Sequence, residues 1–228
     1  MSPSVAVNAA DVRVDILWRR RRRGDTKMAK LRRLTGSVET KNRSIFADVT
    51  FKVRRGEFVA ITIPGRDNDV LLGQVLTGML DPDAGTVRRT GRWIFSPGGA
   101  DLLTSGLSLR QNIHLVAGLL GYPGPLPEEI EAAVLEALDA YSLRNRPAGD
   151  LPYSLLRRVT TMTALHLPGD VYCLAGPLKA GSREDRRLLR QVIKQRIKEG
   201  GTVISIARRL PRMPVDRTIS VAARKRRN

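Results

Sequence analysis

The candidates for chemistry sit where a buried strand runs into a helix. Phe58 to Ile63 (FVAITI) is an almost wholly apolar, β-branched run, which suits a strand covered on both faces. Pro64-Gly65-Arg66-Asp67-Asn68 reads as a loop. Val70 to Leu80 then carries apolar residues at 71, 72, 75, 76 and 79, the helical period. A strand–loop–helix of this kind is where nucleotide-binding chains place G-x-x-x-x-G-K-S/T. There the glycines let backbone N–H groups converge on phosphate, the lysine neutralises it, and the hydroxyl holds magnesium. Here the frame is present and the chemistry is not.

The other reactive side chains are few. The single cysteine, Cys173, lies in the apolar segment Val171 to Leu174 and reads as an inert core thiol. One cysteine excludes an internal disulfide framework and any multi-cysteine metal site. His114 and His166 stand in apolar helical surroundings and read as core or boundary residues rather than ligands. Charge is the more distinctive property: 40 lysines and arginines against 22 acids give the 228-residue chain a net charge of +18. Such a surface favours an anionic partner, whether nucleic acid, lipid headgroups or an acidic protein. Aromatics are only 4% and do not interleave with the basic residues, so base stacking is poorly supplied and nucleic acid is the weaker choice. Much of the excess sits at the ends. Residues 19–33 hold nine basic side chains, including Arg19, Arg20, Arg21, Arg22, Arg23, Lys30, Arg32 and Arg33, and the tail ends Arg224-Lys225-Arg226-Arg227-Asn228. These blocks read as solvated ends or as a grip on an anionic membrane surface. No apolar run reaches the ~20 residues of a membrane span, and Asp11, Arg13 and Asp15 break any secretory-leader pattern.

The elements that must position the loop follow in order. Val49 to Val53 alternates as a half-buried strand. Asp81-Pro82-Asp83-Ala84-Gly85 ends the helix after the loop. Pro127-Glu128-Glu129 opens another, with proline and acids in its first turn. Val171 to Leu174 is a short buried strand. Arg183 to Glu199 is a long basic helix stopped by Gly200-Gly201. Thr202 to Ile206 is a β-branched strand, and Arg217 to Val221 is one more candidate. Buried-type strands alternating with helices indicate an α/β domain with a mostly parallel sheet. The expected organisation is a basic N-terminal extension over 1–43, one α/β domain over 44–222 with a helical insertion at about 100–165, and a basic tail over 223–228.

The order of segments resembles the ATP-binding-cassette (ABC) domain of ABC transporters. The resemblance is carried by Phe51 to Ile61, by Leu76-Thr77-Gly78-Met79-Leu80-Asp81-Pro82-Asp83-Ala84-Gly85-Thr86-Val87, and by the late strands. Gly106-Leu107-Ser108-Leu109-Arg110-Gln111-Asn112-Ile113 and Gly118-Leu119-Leu120-Gly121 are similar to the polysaccharide exporters of this type, which serve O-antigen, capsule and teichoic acid. Leu31-Arg32-Arg33-Leu34-Thr35-Gly36 resembles the head of the O-antigen-type members. The likeness runs from about residue 12 to residue 221 and implies a P-loop NTPase-like cassette with an inserted helical subdomain.

The family's motifs, laid on this chain, fall on the wrong residue types. The phosphate loop would be Ile63, Pro64, Gly65, Arg66, Asp67, Asn68, Asp69, Val70 and Leu71, with glycines replaced at 63, 66 and 68. Asp69 stands in the lysine's place, and Val70 and Leu71 replace the hydroxyls. The signature segment opens with Pro152-Tyr153-Ser154 and continues Leu155-Leu156, without its glycine. Ala175 and Gly176 stand where an aspartate binds magnesium and a glutamate orients water. Arg208 holds the switch-histidine position, and Ser182 follows Gly181 where an aspartate is usual. The resemblance therefore implies ATP and magnesium as the family's cofactors but predicts that neither binds well here. It implies a degenerate subunit that pairs with an active cassette, or with itself, or docks on a membrane permease. The expected location is cytoplasmic, on the inner face of the plasma membrane. A basic anion-binding module on the same fold and a working ATPase with an unusual site are the competing readings.

Overall fold

A computed structural model describes residues 12–20, 43–65, 68–82, 84–100, 102–122, 125, 128–176 and 183–221. Five strands form one parallel sheet in the order β5-β6-β7-β3-β8: β3 (Phe58–Thr62), β5 (Trp93–Ser96), β6 (Val171–Ala175), β7 (Thr202–Ala207) and β8 (Arg217–Ser220). Every residue of β6 and β7 is buried. That is the expected state of central parallel strands, whose apolar side chains leave on both faces. Between the strands run α1 (Asn68–Thr77), α2 (Leu109–Leu119), α3 (Glu128–Ala137), α4 (Tyr153–His166) and α5 (Arg183–Lys198).

The sheet separates two apolar clusters. On one face Ile94, Tyr172, Leu174 and Val203 meet Leu109 and Ile113 of α2, Val134 and Leu135 of α3, Val159 of α4, and Leu189 and Ile193 of α5. On the other face Val59, Ile61, Cys173, Ile204 and Ile206 meet Leu72, Val75 and Leu76 of α1. The alternation along β6 (Tyr172 and Leu174 one way, Val171 and Cys173 the other) is the period-two geometry of a strand. The stretch at about 100–165 contains α2, α3 and α4, and most of its buried apolar residues belong to the same cluster as the sheet face beneath.

A smaller antiparallel sheet, β2-β1-β4, comprises β1 (Val12–Arg20), β2 (Arg43–Val53) and β4 (Ala84–Val87). Phe51 and Val53 of β2 reach into the second cluster and join the two sheets. Some elements differ from the sequence expectation. Val12–Arg20, expected in an extension outside the domain, is the central strand of this sheet, with Val12 opposite Val53 and Val14 opposite both Phe51 and Val87. Strand β2 begins at Arg43 rather than Val49. Helix α1 stops at Thr77, because Gly78 takes a left-handed φ of +82° and leaves Met79 and Leu80 exposed. The helix start expected at Pro127-Glu128-Glu129 is seen from Glu128 as α3, and Pro127 lies outside the described residues.

Candidate functional site at the carboxyl edge of the sheet

In open α/β sheets ligands bind beyond the carboxyl ends of the strands, where strand order reverses. Here that place lies where β3, β6 and β7 end side by side. The Ile63 N–H donates to the Ala207 carbonyl (3.0 Å), and the Gly176 N–H donates to the Ile206 carbonyl (2.9 Å). The fold thus brings together the loop after β3, the exit of β6 at Ala175 and Gly176, and the exit of β7 at Arg208.

The loop is closed by its own residues. Ile63 is 1% exposed and packs in the cluster with Leu72, Val75 and Ile206, so a core side chain occupies the expected first glycine position. Pro64 and Gly65 are exposed, and Gly65 has φ +104°. The Asn68 Nδ2 donates to the Pro64 carbonyl (2.6 Å), and a Cβ placed on Gly65 would collide with that carboxamide. Asn68 therefore lies across the turn. The Asp69 Oδ1 accepts from the Val70 N–H (3.0 Å) in the first turn of α1. A helix N-terminus attracts negative charge, and here the chain's own carboxylate supplies it. Val70 and Leu71 are half-buried against the second cluster. Arg66 and Asp67 lie outside the described residues.

The exit of β6 is filled by backbone. Ala175 is 2% exposed. Gly98, with φ +70°, approaches so closely that a Cβ on it would fall on the Ala175 carbonyl oxygen. Arg157 of α4 fixes this approach by donating its Nε to the Gly98 carbonyl (3.0 Å). Of the signature-like residues, Ser154 is exposed in the first turn of α4, Leu155 is buried in the first cluster and Leu156 packs against it. Both leucine N–H groups donate to the Pro152 carbonyl, at 2.9 and 3.2 Å. No side chain caps this helix. Among the described residues Ser154 makes no bond to the loop after β3; Arg157, one turn on, bonds Gly98 after β5. Arg208 is exposed directly after β7. Arg19 and Arg20 lie in β1, and Arg21, Arg22, Arg23, Lys30, Arg32, Arg33, Gly181 and Ser182 fall outside the described residues, as does the 223–228 tail.

Gly98 and Arg157 escaped the sequence reading. The Ser96-Pro97-Gly98-Gly99 turn was visible as a sequence, but the collision that requires Gly98 is with a residue 77 positions away. Cys173 is buried in β6, and burial pushes its thiol far above the ordinary range. His114 Nε2 meets the Glu131 Oε2 (2.6 Å), which also accepts from the Arg110 Nε (3.1 Å). His166 Nδ1 lies 2.8 Å from the Met162 carbonyl. Both histidines thus have structural partners. Among the described residues no group of three or more His, Cys, Asp or Glu is placed to hold a metal ion, and no helix is long and apolar enough to cross a membrane.

Known proteins can be set beside this geometry. No family model matches the sequence. The cytochrome c biogenesis ATP-binding export protein CcmA of Rhizobium johnstonii is 23% identical over 171 residues, covering 71% of this chain and 80% of that protein. A Pyrococcus furiosus structure described as an ABC transporter ATP-binding protein superposes with TM-score 0.68 at 17% identity, covering 92% of this chain and 97% of that one. An ATP-binding cassette in a dimeric, post-hydrolysis state with ADP and phosphate superposes with TM-score 0.68 at 14% identity, covering 87% and 88%. The Clostridium perfringens cbiO1 structure, part of the cbiONQ transporter complex, gives 0.56 at 18% identity, covering 86% and 77%. The parallel-sheet α/β fold with flanking helices is that of ABC cassettes.

Proposed function

We propose that this chain is a catalytically degenerate ATP-binding-cassette subunit of an export-type ABC transporter. It acts by pairing with an active cassette or by docking on the permease, at the cytoplasmic face of the membrane. The observation that carries the reading is the self-occupied loop: Asn68 bonded across to Pro64, and Asp69 seated at the head of α1 where a phosphate would lie. A carboxylate ~4 Å from a phosphate of like sign costs roughly 1 kcal/mol in water and ~4 near a protein surface. The loss of the lysine removes an attraction of the same order. At the exit of β6, Ala175 and Gly176 offer no oxygen side chain to magnesium and no carboxylate to orient water, two requirements of phosphoryl transfer. ATP and magnesium do not fit this donor set, and no catalytic step is assigned.

The polysaccharide substrate class rests on residues 106–121. Those residues have local structural duties: Ser108 and Gln111 form a capping box on α2, and the buried Asn112 side chain bonds Thr104, Leu107 and Ser108. Such duties serve a cassette of any substrate class, and CcmA is named for cytochrome c biogenesis. The substrate class is therefore the part of the proposal that most needs its own test. Calorimetric titration with magnesium-ATP is expected to show no saturable binding, and a phosphate-release assay no turnover. Saturable turnover would overturn the proposal. Co-purification with a permease or an intact cassette is the expected positive result; a monomer with no such partner counts against it. Polysaccharide export by a reconstituted complex, against haem or cytochrome maturation as the control, decides the substrate class.

A further inference from the structure

Two neighbouring arginines of α4 tie the helical insertion to the carboxyl edge of the sheet. Arg157 and Arg158 lie one turn into that helix, and successive helical residues point ~100° apart. Their guanidinium groups therefore reach different neighbours. Arg157 Nε donates to the Gly98 carbonyl at 3.0 Å, in the turn after β5. Arg158 turns toward the other helices. Its Nη1 pairs with Asp185 in the first turn of α5, and its Nη2 donates at 3.3 Å to the carbonyl of Leu138, directly after α3. The side chains of Arg158 and Asp185 are 28% and 15% exposed, so salt screens the pair weakly. Gly98 and Asp185 lie outside the 100–165 stretch, whereas Leu138 and both arginines lie within it. At the amino edge Arg92 holds the chain beyond α2 by one exposed bond, to the Gly121 carbonyl at 2.8 Å. The junction between these ends is apolar: Leu155 and Val159 of α4, Val134 and Leu135 of α3, and Ile94 and Leu174 of the sheet share one cluster. Apolar contact has no preferred direction, but a planar guanidinium does.

We propose that Arg157 and Arg158 form a brace that fixes the angle of the helical insertion to the sheet. Each arginine holds one point outside the insertion, Gly98 after β5 and Asp185 at the head of α5. Two anchors reached from adjacent positions resist both rotation of α4 about its axis and swinging of its head, more stiffly than apolar packing alone. Arg158 adds α3 to the same body, because one fork grips Leu138 and Asp185 together. A lysine could reach either acceptor but has no planar fork to hold both in a set direction. The consequence is mechanical. A force on α3 passes to α4 and, through the two arginines, to the turn after β5 and the head of α5. At rest the insertion presents one fixed face, with no nucleotide group needed to hold it. The brace requires neither ATP nor a partner, so its failure and that of the degenerate-subunit reading are separate results.

The test reads the angle directly. Nitroxide labels are placed at Glu136→Cys on α3 and Thr218→Cys on β8, both exposed, in the full chain, and pulsed EPR gives the distance distribution between them. The buried Cys173 stays out of reach of the label. The labelled parent is expected to give one narrow distribution. Arg157→Gln/Arg158→Gln is expected to broaden it at least ~2-fold or to add a second distance. Arg158→Lys and Asp185→Asn, the milder changes, broaden it less; combined, they add little to the larger of the two, because both break one link. They also read the brace should the double variant not fold. Arg144→Gln/Arg146→Gln, the same charge loss inside the insertion, leaves the distribution as in the parent. A parent with two distances would overturn the brace, as would equal broadening in the Arg144→Gln/Arg146→Gln control. A lowered Tm with an unchanged distribution in the brace variants would make the arginines stabilising residues only, and would also overturn it.

Discussion

The two edges of the parallel sheet are built in opposite ways. At the amino edge, carboxylates tie the strands together. Asp170 Oδ2 accepts from the Arg92 N–H at 2.7 Å, and Asp216 Oδ2 accepts from the Phe58 N–H at 2.8 Å. Glu57 Oε2 receives the Arg217 guanidinium at 2.9 Å, and Thr202 Oγ1 accepts from the Gly56 N–H at 3.0 Å. At the carboxyl edge the corresponding positions hold Ile63, Ala175, Gly176 and Ala207, joined by backbone bonds and apolar contact. Side-chain bonds thus tie the strand starts together at the amino edge, whereas β3, β6 and β7 are tied at their ends by backbone bonds, with Arg157–Gly98, Asn68–Pro64 and Thr62–Ser220 as side-chain contacts at that edge.

The two glycines that bracket β5 give the largest test of this contrast. Gly98 at the carboxyl edge and Gly91 at the amino edge have nearly the same φ, +70° and +71°. A Cβ on Gly98 would meet the Ala175 backbone, which cannot yield, whereas one on Gly91 would meet the Asp170 side chain at 2.7 Å. Overpacking and left-handed strain each cost about 1–3 kcal/mol. Gly98→Ala is expected to lose about 3 kcal/mol in urea unfolding, and Gly91→Ala about 1–2. Equal losses would mean that the carboxyl edge is no more tightly closed than the amino edge. Next in size is Asp170→Ala. It leaves the Arg92 N–H without its acceptor and removes the long Arg55 contact at 3.9 Å, for a loss of about 1–2 kcal/mol. Asp69→Ala at the other edge is expected to cost only about 0.3–1 kcal/mol, the worth of a carboxylate in a first helical turn. Asp69→Lys is expected to leave magnesium-ATP titrations flat, because Asn68 still crosses the loop and Ala175 still ends β6. Saturable binding in that variant would show that one residue alone silenced the site.

The strands that carry the architecture were readable because burial on both faces demands unbroken apolar, β-branched runs, as in Phe58–Thr62 and Thr202–Ala207. Helix α5 was readable from its period and its Gly200-Gly201 stop. Strand β1 was not, because the arginine run from Arg19 dominated its neighbourhood and masked the alternation of Val12, Val14, Ile16 and Trp18. Strands β4 and β5 have four residues each, too few for a period to register. Of the candidate site, the residue replacements were visible in the sequence. Their consequences were not: Asn68 bonding Pro64 is a choice of rotamer, and Arg157 reaching Gly98 spans 59 residues. The amino-edge carboxylates were missed for the same reason. Asp170 and Asp216 look like ordinary loop acids until folding brings Arg92 and Phe58 to them, across 78 and 158 residues.

The smallest expected effect concerns His166, the last residue of α4, and depends on pH. Burial lowers the His166 pKa below 6.5; the Met162 carbonyl and Glu199 oppose that shift, and Arg196 adds to it. The unfolded chain then binds more protons than the folded one between pH 6.5 and the lower folded value, so stability rises with pH across that window. Above pH 6.5 both states are neutral at this residue and its contribution is flat. Below the folded value both are protonated and the loss is complete. His166→Gln is expected to reduce the slope of Tm against pH from about 6.5 downward, while leaving Tm above pH 7 nearly unchanged. Acidic groups elsewhere contribute their own slope, so the readout is the difference between the two proteins, not either curve alone. A parallel pair of curves would show that the folded and unfolded chains bind protons equally at His166, so that burial does not shift it.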